Sequence, residues 1–363
     1  MFRPSFTLFA GRGPSGIVRA CGKTRDTNAR LAQMPDGVNR GTRTIGVDVG
    51  GTKVAAGFVD SQGEITQHTR TAMNPRGTAE EGLAAVTTAI DTLLKMAPEA
   101  HGGVQRIGIC APGPLDPETG VVLNPPNVPC WRNFPLAAEI SRRYGGFVRI
   151  DNDANAAGLA EGLWGAGRGY KNVFYACIGT GIGTGILLDG RIYYGRTGAA
   201  AEGGHVIIDY KGPRCGCGKR GCIEVLASGT AIGKKARARL VEKAGCSKVM
   251  LELAGGNVEA ITSEIVGRAY AAGDPLSKEI LLETVELLAI WLGNIVDLLE
   301  PDVVILGGGV ATMLSPFFGE IRNRLPAWCV NARCLEIPLV AARYGENAGI
   351  AGGGALCAAP MPA

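Results

Sequence analysis

With 363 residues, of which 46% are hydrophobic, the chain is long enough for two domains and has enough apolar side chains to bury a core in each. Its formal net charge of +4 arises from residues 1–43, which carry eight basic and two acidic side chains, so the remainder is slightly acidic and offers no broad basic surface for nucleic acid. No run of 18 or more apolar residues is present, which excludes a membrane-spanning helix and predicts a cytoplasmic protein with no membrane partner.

The N-terminal segment, residues 1–43, contains glycine and proline but no apolar periodicity. This composition predicts a basic, disordered extension. It also fits a transit peptide, because the segment is rich in arginine and poor in acidic residues. Both interpretations place the start of the folded chain near residue 44.

The first predicted strand begins at Thr44 and runs into a glycine turn, and Val54–Val59 returns as the second strand of a hairpin. Short β-branched or apolar runs predict further strands at Ile65–Ala72, Arg106–Cys110, Phe147–Ile150, Val173–Ile178 and Val303–Leu306. Apolar residues at three- and four-residue steps predict helices at Thr78–Met96, Pro135–Tyr144, Ala154–Trp164 and Pro275–Leu299. Strands followed by helices in both halves of the chain predict an α/β fold.

Three glycine-rich turns follow predicted strands, and such turns expose backbone N–H groups that bind phosphate. The candidate residues are Asp48, Gly50, Gly51, Thr52 and Lys53 in the first turn, Gly179, Thr180, Gly181 and Gly183 in the second, and Gly307, Gly308 and Gly309 in the third. In the first turn, Asp48 is suited to hold Mg²⁺ through water while Thr52 and Lys53 approach phosphate. Each turn alone fits an ordinary strand end, but the three together favour a nucleotide site.

A carboxylate pair lies where the strand at 147–150 runs into a helix of small residues. A carboxylate at such a turn can act as a general base when an acceptor hydroxyl comes within hydrogen-bond distance. Asp151 and Asp153 both fit this role, and both also fit the role of helix N-cap. The motif by itself leaves the two interpretations open.

The segment from Glu202 to Glu224 combines one histidine, three cysteines and two carboxylates. Its metal-ligating side chains are His205, Cys215, Cys217 and Cys222. One imidazole and three thiolates form a complete tetrahedral set for Zn²⁺, and a closed set of this kind is typical of a structural site. Three reduced thiols near a core histidine are the alternative. The two carboxylates remain free for another ligand.

These motifs resemble those of the ROK family of bacterial sugar kinases and repressors, over roughly residues 44–357. The family pattern Cys-x-Cys-Gly-x-x-Gly-Cys-x-Glu is complete at Cys215–Glu224, and His205 lies ten residues before the first cysteine. The resemblance implies an actin-like ATPase (ribonuclease H-like) fold with two α/β lobes around a central cleft. It assigns residues 44–155 to a small lobe and residues 156–344 to a large lobe with the zinc knuckle, and a helix at about 345–358 returns to the small lobe.

The resemblance also implies ATP-dependent phosphorylation of a hexose, with glucose as the first expectation, and a homodimer or homotetramer that requires ATP, Mg²⁺ and a structural Zn²⁺. It makes Asp153 the catalytic base and assigns sugar contacts to Asn127, Asn152, Asp153, Glu202, His205 and Glu224. It assigns Gly179–Gly183 to a second phosphate-binding element and Gly307–Gly309 to contacts with adenosine. The segment Asn124–Trp131 resembles the family's loop on the sugar side of the cleft, called here the sugar-side loop. It has Cys130 where the family usually has glycine, and cysteine fits that position if its φ is negative.

Several alternatives fit the same motifs. Fructose, mannose, allose or an N-acetylhexosamine can replace glucose as substrate, and polyphosphate can replace ATP as donor. A sugar-responsive repressor of the ROK type shares the sugar and zinc motifs but places a helix-turn-helix region before them. Residues 1–43 have too little helical periodicity to supply that region, so we expect an enzyme without a nucleic-acid partner.

Overall fold

Twelve strands form two large sheets and one small sheet in the part of the chain that the computed structural model describes, residues 43–97, 104–243 and 245–359. The strands are β1 (Arg43–Val49), β2 (Lys53–Val59), β3 (Ile65–Ala72), β4 (Val104–Ala111), β5 (Leu115–Asp116), β6 (Val121–Val122), β7 (Phe147–Asn152), β8 (Val173–Ile178), β9 (Ile182–Leu188), β10 (Arg191–Ile192), β11 (Val303–Gly307) and β12 (Leu339–Ala341). The predicted N-terminal extension lies outside the described residues, apart from Arg43.

One strand arrangement occurs twice. The first sheet has the order β3-β2-β1-β4-β7, and the second has the order β10-β9-β8-β11-β12. In each sheet the first three strands along the chain form an antiparallel meander. The fourth strand pairs parallel with the first strand of that meander, and the fifth pairs parallel with the fourth. β5 and β6 form a separate short hairpin. The repeated order agrees with the actin-like architecture that the motifs imply.

Eleven α-helices accompany these strands in the described part of the chain. They are α1 (Ala79–Met96), α2 (Leu136–Tyr144), α3 (Asp153–Leu163), α4 (Ile223–Ala227), α5 (Gly229–Glu242), α6 (Lys248–Leu253), α7 (Ser263–Ala271), α8 (Pro275–Leu299), α9 (Gly309–Leu314), α10 (Phe318–Arg324) and α11 (Ala348–Ala358). None of the described helices combines the length and the apolar character that a membrane crossing requires.

The helices bury apolar side chains on both faces of each sheet. α1 and α2 pack on the outer face of the first sheet, and α8 belongs to a larger core on the outer face of the second. α3 and α11 lie between the two sheets, where small side chains such as Ala156 and Ala351 are fully or almost fully buried. The described residues therefore form one compact unit, in which the boundaries predicted at residues 155 and 344 stay predictions.

Local sequence explains where the longest helices begin. The Thr78 side chain accepts a hydrogen bond from the Glu81 backbone N–H, and the Glu81 carboxylate accepts one from the Thr78 N–H, which is a complete capping box for α1. Asp274 caps α8 by accepting from the Ser277 N–H, and Pro275 occupies the first helical position. The helices predicted at 78–96 and 275–299 are confirmed.

Other predicted boundaries need correction. α3 begins at Asp153 and its N-cap is Asn152, so the N-cap role considered for Asp151 and Asp153 was wrong. The strand predicted at 147–150 extends to Asn152. β9 was not predicted, because Gly183 and Gly185 interrupt its β-branched pattern.

α11 lies unusually close to the first sheet. A Cβ atom added to Gly108 of β4 would lie 1.8 Å from the Gly353 carbonyl oxygen, and one added to Gly46 of β1 would lie 1.9 Å from the Ile350 carbonyl oxygen. Only glycine fits at these two strand positions. The helix predicted at about 345–358 is present from Ala348 onward, after a 3₁₀ turn at Gly345–Asn347.

We expect Gly108→Ala to lower the free energy of unfolding by about 2–4 kcal/mol, because backbone atoms of α11 occupy the space of the new methyl group. Gly319→Ala is the matched control, because Gly319 lies exposed in α10 with no atom within 4 Å of its Cβ position. The control should gain about 0.5–1 kcal/mol from the higher helix propensity of alanine. Urea unfolding measures both; equal stability of the two variants would contradict the close packing of α11.

Candidate active site

A cavity of about 1100 Å³ gathers many of the predicted site residues. It lies at the carboxyl end of β7, beside the turn between β8 and β9 and the segment from Glu202 to Lys235. The predicted residues on its wall are Asn127, Asn152, Asp153, Thr180, Gly181, Glu202, His205, Cys217 and Glu224. Residues from distant parts of the sequence thus face one space.

Asp153 is placed in this cavity by the change from strand to helix. The Asn152 side chain accepts hydrogen bonds from the backbone N–H groups of Ala154, at 2.9 Å, and Asn155, at 3.4 Å, which caps α3. Asp153 therefore occupies the first helical position. Its side chain is exposed to the cavity, but protein atoms surround the carboxyl group on the other sides. These surroundings raise the pKa of its carboxyl group, and the charge of Glu202 adds to this effect, against the hydrogen bond from the Ala154 N–H.

Two more carboxylates flank the imidazole of His205, which ends a 3₁₀ turn at Gly203–His205. The His205 Nε2 atom lies 4.0 Å from a Glu202 carboxylate oxygen. The His205 Nδ1 atom lies 4.0 Å from a Glu224 carboxylate oxygen and 3.6 Å from the Cys215 sulfur. The ring thus presents one nitrogen to the cysteines and the other to the exposed Glu202 side chain.

The predicted metal ligands lie together. One ligand atom from each of His205, Cys215, Cys217 and Cys222 lies within 4.8 Å of all the others. The sulfur atoms of Cys217 and Cys222 are 3.7 Å apart, which matches the separation of about 3.8 Å expected for two thiolates on a tetrahedral Zn²⁺. Burial and the neighbouring thiols raise the pKa of Cys222 to about 12, and a metal ion bound there would deprotonate the coordinating thiols. The donor set therefore fits zinc.

Glu224 connects this cluster to the second glycine turn. Its Oε2 atom accepts a hydrogen bond from the Ile182 N–H at 3.0 Å, and a Cβ atom at Gly181 would lie 2.5 Å from the same oxygen. The hydroxyl of Thr230 donates to the Thr180 carbonyl at 2.8 Å. The turn is thus held from two sides, by a carboxylate of α4 and by the first turn of α5.

The first glycine turn lies beside the cavity rather than on its wall, and this holds for all of its five predicted residues, Asp48, Gly50, Gly51, Thr52 and Lys53. The Gly50 N–H donates to the Lys53 carbonyl at 2.9 Å and closes the turn between β1 and β2. A Cβ atom at Gly51 would lie 3.0 Å from the Asn127 carbonyl oxygen. This turn therefore borders the sugar-side loop.

The remaining predicted glycines lie away from the large cavity. Gly307 ends β11 and Gly309 begins α9, with Gly308 between them at a φ of 88° that favours glycine. Gly179 accepts a hydrogen bond from the Gly229 N–H at 2.8 Å. Gly183 lines a second, smaller cavity of about 190 Å³ that also borders Asp153.

The sugar-side loop tolerates its unusual cysteine. Cys130 has a negative φ, and its backbone N–H donates to the Pro75 carbonyl at 3.0 Å. The sulfur packs near Gly82 of α1, and burial raises the pKa of the thiol. Trp131 is fully buried and donates from its ring N–H to the Ala79 carbonyl at 3.2 Å, so it belongs to the core rather than to the site.

Sequence reasoning missed part of the cavity wall. A cis peptide joins Gly113 to Pro114 at the wall, and the Gly-Pro pair, separated from a predicted strand by two residues, was an available signal. Lys234 and Lys235 of α5 also line the cavity, but no helix was predicted there. Lys235 pairs with Glu283 at 2.8 Å, whereas Lys234 has no carboxylate partner among the described residues.

Comparison with known proteins places these features in context. The model of the ROK family matches residues 44–359. A glucokinase of Thermotoga maritima is 34% identical over 311 residues, which are 85% of this chain and 95% of that protein. A xylose repressor of Caldicellulosiruptor bescii is 30% identical over 277 residues, which are 76% of this chain and 67% of the repressor.

A solved structure supports the fold. The ROK family glucokinase from Streptomyces griseus, in complex with glucose and AMPPNP, superposes with a TM-score of 0.76 at 34% identity, over 87% of this chain and 99% of that one. The predicted actin-like ATPase fold is confirmed by this likeness. The residues that the family model matches, 44–359, include every residue of the candidate site.

Asp48 gives the site a measurable dependence on pH. Burial raises the pKa of its carboxyl group from the ordinary value of 3.8 to about 6, and the charge of Asp153 contributes, although Lys53 and Arg70 act in the opposite direction. The folded state therefore holds the Asp48 proton more tightly than the unfolded state does. Stability is lost as the pH rises through about 6 and is retained below 3.8.

We expect Asp48→Asn to raise the free energy of unfolding in metal-free buffer at pH 7.5, by at most about 3 kcal/mol, because the variant carries no buried charge. The gain should vanish near pH 4, where both proteins are neutral at this position. Urea unfolding at pH 4, 5.5 and 7.5 measures the difference. Asp189→Asn, at an exposed turn, is the control and should show no such trend; a gain from Asp48→Asn that does not change with pH would contradict the assignment.

Proposed function

The chain belongs to the ROK family, and we propose that it transfers the γ-phosphoryl group of ATP to glucose, forming glucose 6-phosphate. The glucokinase named among its relatives matches over 95% of that protein's length. The observation that carries the proposal is the cavity in which Asp153 lies with three groups suited to sugar hydroxyls, Glu202, His205 and Glu224, and with the glycine turn at Thr180.

Sugar recognition falls to the amide and acidic residues of the cavity wall. A hexose presents hydroxyls that both donate and accept hydrogen bonds, and carboxylates combined with amides match such an edge. We assign the sugar contacts to Asn127, Asn152, Glu202, His205 and Glu224. A site with these polar groups discriminates against sugars that lack a hydroxyl, because the unmatched group would be left without a partner.

Asp153 is the proposed general base. As the 6-hydroxyl oxygen forms a bond to the γ-phosphorus, its proton moves to the Asp153 carboxylate, and the bond between the γ-phosphorus and the bridging oxygen of ADP breaks. The raised pKa of Asp153 brings the carboxyl group closer to working pH, which favours proton transfer. The remaining requirement of phosphoryl transfer is alignment of the two substrates.

The donor is assigned to the glycine turns. Gly179–Gly183 and the turn from Asp48 to Lys53 are proposed to bind the phosphates, and Gly307–Gly309 are proposed to approach adenosine. Lys234, which lines the cavity and has no carboxylate partner in the described part of the chain, offers a further positive charge for this end. Asp48 is the proposed residue for Mg²⁺, through water, and the ion when bound neutralises charge on the phosphates.

The four ligands His205, Cys215, Cys217 and Cys222 are proposed to hold a structural Zn²⁺. The geometry that supports this is the approach of His205 Nδ1 to the Cys215 sulfur, which leaves Nε2 on the side of Glu202. A metal on one ring nitrogen fixes the orientation of the other. Assembly into a homodimer or homotetramer and residence in the cytoplasm stay predictions.

The base assignment predicts the effect of one substitution. Asp153→Asn should lower kcat for glucose by about 10²- to 10⁴-fold, because the 6-hydroxyl proton then has no acceptor. The fold should be kept, since asparagine has nearly the same shape as aspartate and Asp153 is exposed to the cavity. Coupled measurement of ADP formation gives kcat, with Asp189→Asn as an exposed control. Turnover of Asp153→Asn close to that of the wild type would assign the base elsewhere.

A panel of substrates tests the proposed specificity and its alternatives. Values of kcat/KM for glucose, fructose, mannose, allose and N-acetylglucosamine are compared with ATP, and polyphosphate is then compared with ATP as donor. We expect glucose with ATP to give the highest value. Sequence-selective DNA binding without any kinase activity would instead support the repressor alternative.

The zinc assignment predicts about one Zn per chain by elemental analysis. Cys217→Ser should lose the metal and weaken glucose binding by about 10-fold or more, because His205 is no longer fixed, while ATP binding changes by less than about 2-fold. Cys246→Ser is the matched control, since this half-buried thiol lies outside the cluster and its sulfur donates only to the Arg239 carbonyl. Unchanged glucose affinity in metal-free Cys217→Ser would refute the link between metal and sugar.

A further inference from the structure

Asp151 is a buried carboxylate to which the proposed reaction assigns no role. It lies at the end of β7, and only 2% of its surface is exposed. Its Oδ1 atom accepts hydrogen bonds from the Asn152 backbone N–H at 2.7 Å and from the Asn155 side-chain amide at 3.2 Å. Its Oδ2 atom accepts a hydrogen bond from the Tyr194 hydroxyl at 2.5 Å. The hydrogen bonds of Asp151 thus go to groups at the start of α3 and to one tyrosine, and the positive charge of Arg149 acts on both Asp151 and Tyr194.

Tyr194 begins the loop that leads to Glu202. This loop follows β10, and its base is closed by a hydrogen bond from the Ala200 N–H to the Tyr194 carbonyl at 3.2 Å. At the other end, the Thr184 hydroxyl donates to the Ala201 carbonyl and accepts from the Gly203 N–H at 2.8 Å. The loop is therefore held at two points, and the Tyr194 side chain supplies the attachment at its start.

This attachment joins two parts of the site. Asp151 belongs to β7 of the first sheet, directly before Asn152 and Asp153, whereas Tyr194 follows β10 of the second sheet. We propose that Asp151 and Tyr194 are positioning residues, whose hydrogen bond sets the placement of Glu202 relative to Asn152 and Asp153 and so aligns the hexose with the base. The proposal rests on the proposed function, because it concerns the same sugar site.

The hydrogen bond from Tyr194 to Asp151 is important for the loop because Asp151 is buried. A phenol that donates to a buried carboxylate forms a charge-assisted bond, which is stronger than one between neutral groups. The cavity of about 190 Å³ lies beside the loop and is bordered by Asp151, Thr184 and residues 197–202. Close packing does not fill this space, so the loop has room to move when the bond is lost.

Tyr194→Phe removes the hydroxyl and keeps the ring. We expect its KM for glucose to rise by about 10-fold and its kcat to fall by about 10-fold, because a displacement of about 1 Å at a reacting group lowers the rate by up to about 100-fold. The KM for ATP should stay within about 2-fold, since the hydrogen bonds at the two ends of the loop go to Asp151 and Thr184 and not to Thr180. Tyr193→Phe is the matched control, as the neighbouring ring is 45% exposed and should leave all three constants unchanged.

Asp151 allows a rescue experiment. Asp151→Asn can keep all three contacts, because the amide oxygen accepts from Asn152 and Asn155 while the amide N–H donates to the Tyr194 oxygen. Asp151→Ala loses them all. We expect Asp151→Asn to stay within about 3-fold of the wild type and Asp151→Ala to resemble Tyr194→Phe or exceed it. The double variant of Asp151→Ala and Tyr194→Phe should be no worse than Asp151→Ala alone, since the two side chains act as one unit.

The outcomes separate this proposal from the proposed function. Wild-type protein without glucose kinase activity would refute the proposed function. The wild type and the Asp151 and Tyr194 variants would then be compared by the rise in melting temperature that the best-binding hexose of the panel causes. The same shift provides a readout for any variant that folds but turns over slowly. Constants of Tyr194→Phe within 2-fold of the wild type, or equal losses from Asp151→Asn and Asp151→Ala, would overturn the positioning role.

Discussion

The hydrogen bonds of the Asn152 side chain to the first N–H groups of α3 determine where the rest of the site lies. They stop β7 and start the helix within one residue, so Asp153 occupies the first helical turn at the edge of the first sheet. α3 then runs between the two sheets and packs on α11, which in turn contacts β1 and β4 through glycines. Asp153, the proposed base, is therefore attached to a layer in which side chains are small and backbone contacts are close.

The same location creates competing electrostatic effects at Asp153. The start of a helix favours a negative charge, as does the hydrogen bond from the Ala154 N–H. Loss of water and the charge of Glu202 act in the opposite direction, and together they dominate, because the pKa of Asp153 is raised. A carboxylate in this balance accepts a proton more readily than one at an exposed helix start, which is the property that a general base requires.

The local parts of this site are readable from sequence, but the long-range parts are not. The ligands from His205 to Cys222 lie within a short segment, so their spacing alone predicted the cluster. Asp48 and Asp153 are 105 positions apart, and the influence of Asp153 on the pKa of Asp48 follows from the pairing of β1, β4 and β7. Tyr194 carries no motif at all. Its role depends on a contact between two sheets, and no local pattern indicates such a contact.

Glu224 contacts both the second glycine turn and the predicted metal ligand His205. One of its oxygens accepts from the Ile182 N–H in the second glycine turn, and the other lies 4.0 Å from the His205 ring, beside the metal ligands. Glu224 therefore lies between the four predicted metal ligands and the second glycine turn. The opposite charge of Lys234 on α5 lies on the same wall. In the proposed arrangement the carboxylates face the sugar and the Lys234 ammonium group faces the phosphates, so the two substrates would occupy different ends of one cavity.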